Sequence, residues 1–253
     1  MRIVGSAAYL QDRARRRGGR ALFLVVAGVV AVAAGFIAAQ APGATVLTSG
    51  FPAFAGFGAV VVGMLQGSAA RRDADSAGAE APVIAQLRAR LSDDYLYLRN
   101  VVLPGRTTAA DAVVLGPHGA LVLGIYPTPG SFTVKGDDWF TGRGDSLEPL
   151  RESPSWRLAR PLRGLQRLAV EEDLTGLPVN GAVVLARGDL AGAEKPSVAV
   201  VPASKIASYV EYLRPQDPEP LREPVQRLAG LLTPLAAGGP STVESPTGDT
   251  AAA

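Results

Sequence analysis

The stretch from Ala110 to Phe140 reads ADAVVLGPHGALVLGIYPTPGSFTVKGDDWF, and it decides what kind of body this chain folds into. Ala112 to Leu115 and Ala120 to Tyr126 are apolar runs of strand length. Pro117-His118-Gly119 between them has turn chemistry, so the two runs predict a hairpin or meander. Ser131 to Val134 and Trp139 to Thr141 flank Gly136-Asp137-Asp138 as a second short pair. Upstream, Tyr95 to Leu103 predicts another strand. Before it, Val83, Ile84, Leu87 and Leu91 recur at helical spacing, and Ser92-Asp93-Asp94 ends that helix. Downstream, Arg160 to Glu172 predicts a helix with Pro161 at its start and Leu162, Leu165 and Leu168 as its apolar repeat. Val179 to Leu185 and Val198 to Val201 are β-branched runs, and Ala207 to Leu213 and Leu221 to Leu232 predict closing helices. Helix, strands, helix, strands and helices make an α/β (α+β) domain with a mixed sheet over residues 82–235. The remaining tail, 236–253, is too poor in apolar residues to pack and is expected to be disordered.

Nothing in this body accounts for the mean hydropathy of +0.18 over 253 residues, with 47% hydrophobic and 19% charged side chains. That excess lies upstream. Ala21 to Ala39, ALFLVVAGVVAVAAGFIAA, is 19 residues without a charge, and as a helix it spans about 28 Å, the thickness of a bilayer core. Val46 to Leu65 is a second uncharged run, weakened by Thr48, Ser49, Pro52 and glycines. Gln40 to Thr45 reads as the turn of a helical hairpin. The expectation is therefore two transmembrane helices within 21–66 and a small, polar linker over 67–81. A cleaved signal peptide competes, since Ala39-Gln40-Ala41 resembles a cleavage site, but Pro42 and the second apolar run oppose it. Ala27, Ala31 and Gly35, with Ala55, Ala59 and Gly63, are small residues at helical spacing and candidates for the contact faces.

Charge fixes the expected orientation. Residues 1–20 hold six arginines and one acid, Arg71 and Arg72 follow the second run, and the loop between the runs is uncharged. Positive charge resists translocation, so both termini are expected in the cytoplasm and the chain in the cell (inner) membrane of a bacterium, with the basic segment 1–20 as a topology signal. Residues 81–235 carry 17 basic and 17 acidic side chains, so the body shows no electrostatic footprint for nucleic acid. The chain has no cysteine and one histidine, His118, which excludes disulfides, thiolate nucleophiles and multi-histidine metal sites. In its turn, His118 is expected to be solvated or locally bonded. Trp139 and Trp156 are aromatic candidates for base stacking, with packing the ordinary role of a tryptophan on a hairpin. No phosphate-cradling glycine motif is present.

The run Ile84 to Gly105, IAQLRARLSDDYLYLRNVVLPG, followed by the stretch quoted first, resembles the nuclease-related domain family (NERD), which is similar to restriction-endonuclease-like nucleases. The resemblance covers about Glu80 to Leu213. Glu80 opens the first helix, Asp111 precedes a long strand, Gly119 enters the next strand, Gly130 follows it, and Trp139 lies in the hairpin. The resemblance implies a divalent metal held by carboxylates of adjacent strands, with a lysine two residues beyond the second acid. Mg²⁺ needs hard oxygen ligands, and positions i and i+2 of a strand share a face. Asp111 stands where the first acid belongs, but Gly124 replaces the second and Tyr126 replaces the lysine. Near the later helix, Gly164 stands where the family often has glutamine, with Gln166 close by. The expectation is a degenerate nuclease fold with no catalytic residue, no metal and no cofactor, in which Asp111 accepts backbone N–H bonds. It would be a membrane-anchored binding or scaffolding module, a pseudoenzyme, whose partners are the lipid bilayer and an unidentified protein or a nucleic acid, the latter not supported by the charge of the body. The alternative is an active Mg²⁺ nuclease whose site is rebuilt from Glu80, Asp137 or Asp138.

Overall fold

The computed structural model describes residues 1–5, 8–40, 46–103, 109–142 and 146–236. The chain divides into two compact units: residues 8–77, and a body made of residues 1–7 with 78–253. The expected tail beyond Ala236 and most of the expected turn at 40–45 lie outside the described residues.

The body is built on a six-stranded mixed sheet. In chain order its strands are β1 (Arg2–Val4), β2 (Leu96–Val102), β3 (Ala109–Gly116), β4 (Gly119–Tyr126), β8 (Val179–Leu185) and β10 (Ala199–Pro202), and they lie side by side in that order. β2, β3 and β4 are antiparallel neighbours. The pairs β1–β2, β4–β8 and β8–β10 are parallel. The expected meander is therefore the centre of the sheet. Its turn closes on Gly119, whose φ of +93° and whose contact with the Pro178 carbonyl leave no room for a Cβ. A second sheet, ordered β7 (Glu148–Pro149), β6 (Asp138–Thr141), β5 (Gly130–Lys135) and β9 (Gly188–Glu194), flanks the first.

Alternation along the strands divides the core in two. Val113, Leu115, Ala120 and Val122 pack on one face with Phe132 and Trp139, against α3 (Pro154–Glu171) and α5 (Arg222–Leu232). Ala112, Val114, Leu121 and Leu123 point the other way, onto Val83 and Leu87 of α2 (Val46–Arg90) and Ile206 and Val210 of α4 (Ile206–Tyr212). The sheet is thus covered by helices on both faces, and hydrophobic alternation of period two sends each strand's side chains into two separate cores.

Several boundaries differ from expectation. Residues 1–20 hold structure that the sequence reading did not assign: Arg2–Val4 pairs with Leu96–Leu98, and α1 (Ala8–Ala39) begins well before the apolar run. Residues 67–81 are not a break in secondary structure, because α2 continues through them and through Pro82 into the body. Ala79 and Glu80 are already buried there. Helix α3 starts at Pro154, capped by Ser153, so Pro161 lies inside it rather than at its start. Ala236 bridges Val101 and is buried, one residue into the expected tail.

The other unit consists of α1 and the first part of α2. Within α1, Gly18–Ala38 is long and apolar enough to cross a membrane, the one such stretch among the described residues. Phe54–Gly67 is a shorter apolar stretch of α2. This points to membrane association. The two helices run antiparallel and meet at glycines: a Cβ on Gly28 would stand 2.5 Å from the Gly56 carbonyl oxygen, and the reverse distance is also 2.5 Å. A Cβ on Gly63 would stand 2.9 Å from the carbonyl of Ala21. Among the described residues of this unit, the buried small ones are Ala21, Gly28 and Gly35 on α1 and Gly56 and Gly63 on α2. Their spacing is seven, the period of a left-handed helix pair, not the four of the expected ladders. Of those ladders, Ala27 and Ala55 are exposed, whereas Gly35 is buried and Gly63 is at the contact.

Candidate functional site

Asp111, Gly124 and Tyr126 share the sheet face that looks onto α3, as period-two alternation requires. They line a cleft of about 560 Å³, closed on its other side by Glu152, Ser153, Trp156, Arg157, Arg160 and Arg163 at the start of α3. Proximity of these strand ends to the helix N-terminus is set by local chemistry. Ser153 caps α3 through the Trp156 N–H and donates to the Asp137 carbonyl (2.6 Å), while Trp139 Nε1 donates to Ser155 Oγ (2.9 Å). The β5–β6 hairpin therefore holds the first turn of α3 in place.

Asp111 sits where the sheet is irregular. The β3–β4 ladder ends at the Ala112–Leu123 pair, and the β2–β3 ladder skips the Asn100–Asp111 position, where Asn100 has a φ of +49°. Asp111 Oδ2 instead accepts the Ile125 N–H at 2.8 Å. A side-chain oxygen thus fills the place of a strand carbonyl, the structural role expected of Asp111. Burial pushes its carboxyl above the ordinary aspartate range, and the Ile125 N–H and the field of Arg157 offset that only in part.

The neighbouring positions are committed to packing. A Cβ on Gly124 would lie in ordinary contact with Leu158, 3.5 Å from its Cδ1 and 3.6 Å from its Cβ, so hydrocarbon of α3 packs beside this position. Tyr126 is drawn into an aromatic cluster, edge-on to Phe132 with centroids 5.3 Å apart and tilted against Trp139 at 5.9 Å. Neither position supplies an oxygen ligand or a cation beside Asp111.

The acids considered for a rebuilt site do not line the cleft. Glu80 is buried and paired with Arg99 (Nε to Oε1 3.1 Å), with Tyr97 facing the same carboxylate; burial nevertheless raises its pKa. Asp137 accepts from Ser197, and Asp138 is exposed on β6. The second carboxylate of the cleft is Glu152, exposed and 3.9 Å from Arg157. Among the described residues no group of three or more histidine, cysteine or acidic side chains could hold a metal ion. One buried aspartate engaged with a backbone N–H and one solvated glutamate do not fit a Mg²⁺ site.

His118 departs from expectation: it is fully buried, stacked on Tyr95 at 5.7 Å, and neither ring nitrogen has a well-formed hydrogen bond among the described residues. It is not in the cleft. Trp139 is core, whereas Trp156 is 62% exposed at the cleft mouth. Sequence reading missed the basic wall of the cleft because it started α3 at Arg160. Ser153-Pro154, a cap followed by proline at the first helical position, is the signal that marks the true start.

The chain has no significant match among curated proteins or among solved structures. Residues 76–186, from the last turns of α2 to the end of β8, match the family model of NERD, the nuclease-related domain.

Proposed function

We propose that this protein is a membrane-anchored binding module whose nuclease-like body has exchanged cleavage for recognition. The observation that carries the reading is the Asp111–Ile125 bond. Among the described residues the one strand carboxylate in the cleft is used to complete the sheet, beside a glycine packed by Leu158 and a tyrosine packed by Phe132. Hydrolysis of a phosphodiester at a divalent metal needs ligands that converge on one ion and an activated water. Here the α3 side of the cleft carries cationic and aromatic groups, among them Arg157, Arg160, Arg163 and Trp156, which suit binding of an anionic partner.

The anchor is the α1–α2 unit, as a two-crossing hairpin. Support comes from the outward apolar side chains, among them Phe23, Val30, Phe36 and Ile37 of α1 and Phe54 and Phe57 of α2, and from the tight glycine contact between the helices. Both ends of the hairpin join one body, so an odd number of crossings would tear β1 from β2.

The test is a plasmid-nicking assay on the full chain with Mg²⁺ or Mn²⁺, alongside Asp111→Asn, which keeps an acceptor for the Ile125 N–H. No cleavage by either protein is expected. Metal-dependent nicking that disappears in the variant would establish the alternative, a tethered nuclease.

A further inference from the structure

We propose that the outward face of α3 docks onto the headgroups of an anionic bilayer, an inference that rests on the anchoring half of the proposed function and makes no use of a ligand in the cleft. At 100° per residue, Trp156, Arg160, Arg163, Arg167 and Val170 fall within an arc of about 80°, opposite the buried Leu158, Leu165 and Ala169. All five are exposed, Trp156 at 62% and Val170 at 81%. The arc contains no acid, and Glu171 stands at its edge.

These arginines are not needed by the fold. Arg163 Nε donates to the Ala159 carbonyl of its own helix. Arg160 and Arg167 have no ion pair among the described residues. Two of the few large apolar side chains exposed on the body, Trp156 and Val170, bracket this basic stripe. Arginine between an exposed tryptophan and an exposed valine has the composition of an interfacial surface: cations for phosphate, an indole for the headgroup level and an aliphatic group for the acyl boundary.

Strength decides between a bilayer and a diffusing polyanion. The body as a whole is balanced, with 17 basic and 17 acidic residues over 81–235, so no long-range field gathers a nucleic acid. Three arginines near an anionic surface favour it on the order of a hundredfold. That is a weak complex for a free partner, but it suffices for a domain whose own chain holds it beside the surface at millimolar effective concentration.

The experiment reconstitutes the full chain in phosphatidylcholine vesicles with and without phosphatidylglycerol and reads tryptophan quenching by brominated lipid. Trp139 is buried, so Trp156 carries the change. At least twofold stronger quenching in the anionic vesicles is expected. Salt, or the combined Arg160→Gln, Arg163→Gln and Arg167→Gln variant, should return it to the neutral level. Equal quenching in both vesicles, or no effect of the variant, overturns the docking. So does a single-stranded oligonucleotide that binds the full chain in detergent and abolishes the anionic quenching, because the face would then read nucleic acid. Retention of the chain on neutral vesicles after alkaline wash separates the two claims. Retention with equal quenching sinks docking alone, whereas loss from neutral vesicles sinks the anchor and the docking with it.

Discussion

His118 is held as a neutral base inside the body, and that makes it the residue through which acid acts on stability. Burial, only partly offset by the Val114 backbone, lowers its pKa from 6.5 to about 4. An unfolded chain takes up this proton below pH 6.5 and the folded chain only near pH 4, so stability falls as pH drops through that window. The loss approaches about 3 kcal/mol once both states are protonated. Asp111 and Glu80, whose pKa values burial raises, act with the opposite sign, since the folded state then keeps their protons to higher pH than the unfolded state does. The comparison that isolates the histidine is therefore wild type against His118→Phe in denaturant titrations at pH 7 and pH 4.5. The variant should keep the ring stack on Tyr95 and lose the extra acid sensitivity; parallel profiles would show that His118 is already charged or solvated. Asp111 works at the same scale. Asp111→Ala leaves the Ile125 N–H without an acceptor and should cost about 1–3 kcal/mol, with Asp111→Asn costing less, read from the same titrations.

Elements of this fold were legible where side-chain periodicity is strong and obscure where pairing alone makes the strand. β4 is a continuous apolar run and β8 ends in one, Ala182 to Leu185, and their boundaries fall within a residue of those read from sequence. β1 is three residues long and β9, Gly188–Glu194, is mostly exposed glycine, alanine and acid. Neither has a pattern of its own, and each is a strand only because β2 or β5 offers it an edge. The site shows the same division. Loss of the second acid and the lysine is visible in Gly124 and Tyr126, but Leu158, which packs beside Gly124, belongs to a helix whose start was misplaced. Arg99 joins these elements in a way sequence could not disclose. From β2 it pairs with Glu80 on α2 and reaches the Gly5 carbonyl (3.4 Å) after β1, tying together the two places where the hairpin leaves the body. Arg99→Met strands a buried carboxylate and should destabilise the body by about 3–5 kcal/mol at neutral pH. The loss should shrink under mild acid as Glu80, already raised in pKa, takes a proton. A loss that does not vary with pH would mean that Glu80 is not the charge left behind.

At the scale of the whole molecule, a strand of three residues constrains membrane topology more firmly than the arginine count does. Positive flanks bias which side a loop occupies, but β1 adds a hydrogen-bonded constraint. Arg2–Val4 pairs in register with Leu96–Leu98, and the Arg2 N–H donates to the Tyr95 carbonyl at 2.9 Å, so the start of the chain and the body share one compartment. On the proposed reading the apolar unit leaves that compartment and returns. The 14 residues of Phe54–Gly67 span only about 21 Å as helix, so the return crossing must draw on the earlier turns of α2 as well. Because the native chain has no cysteine, the topology can be read with single thiols. Gln40→Cys, at the end of α1, and Ser92→Cys, just past α2, should label from opposite sides of a sealed membrane with an impermeant maleimide. Met1→Leu with a cysteine appended before it should follow Ser92→Cys. If Gln40→Cys and Ser92→Cys label from the same side, the unit lies on the membrane or outside it and the two-crossing hairpin is wrong. If the appended cysteine labels from the side opposite Ser92→Cys, β1 is not paired with β2 in the membrane-bound protein and the body must close its sheet without it.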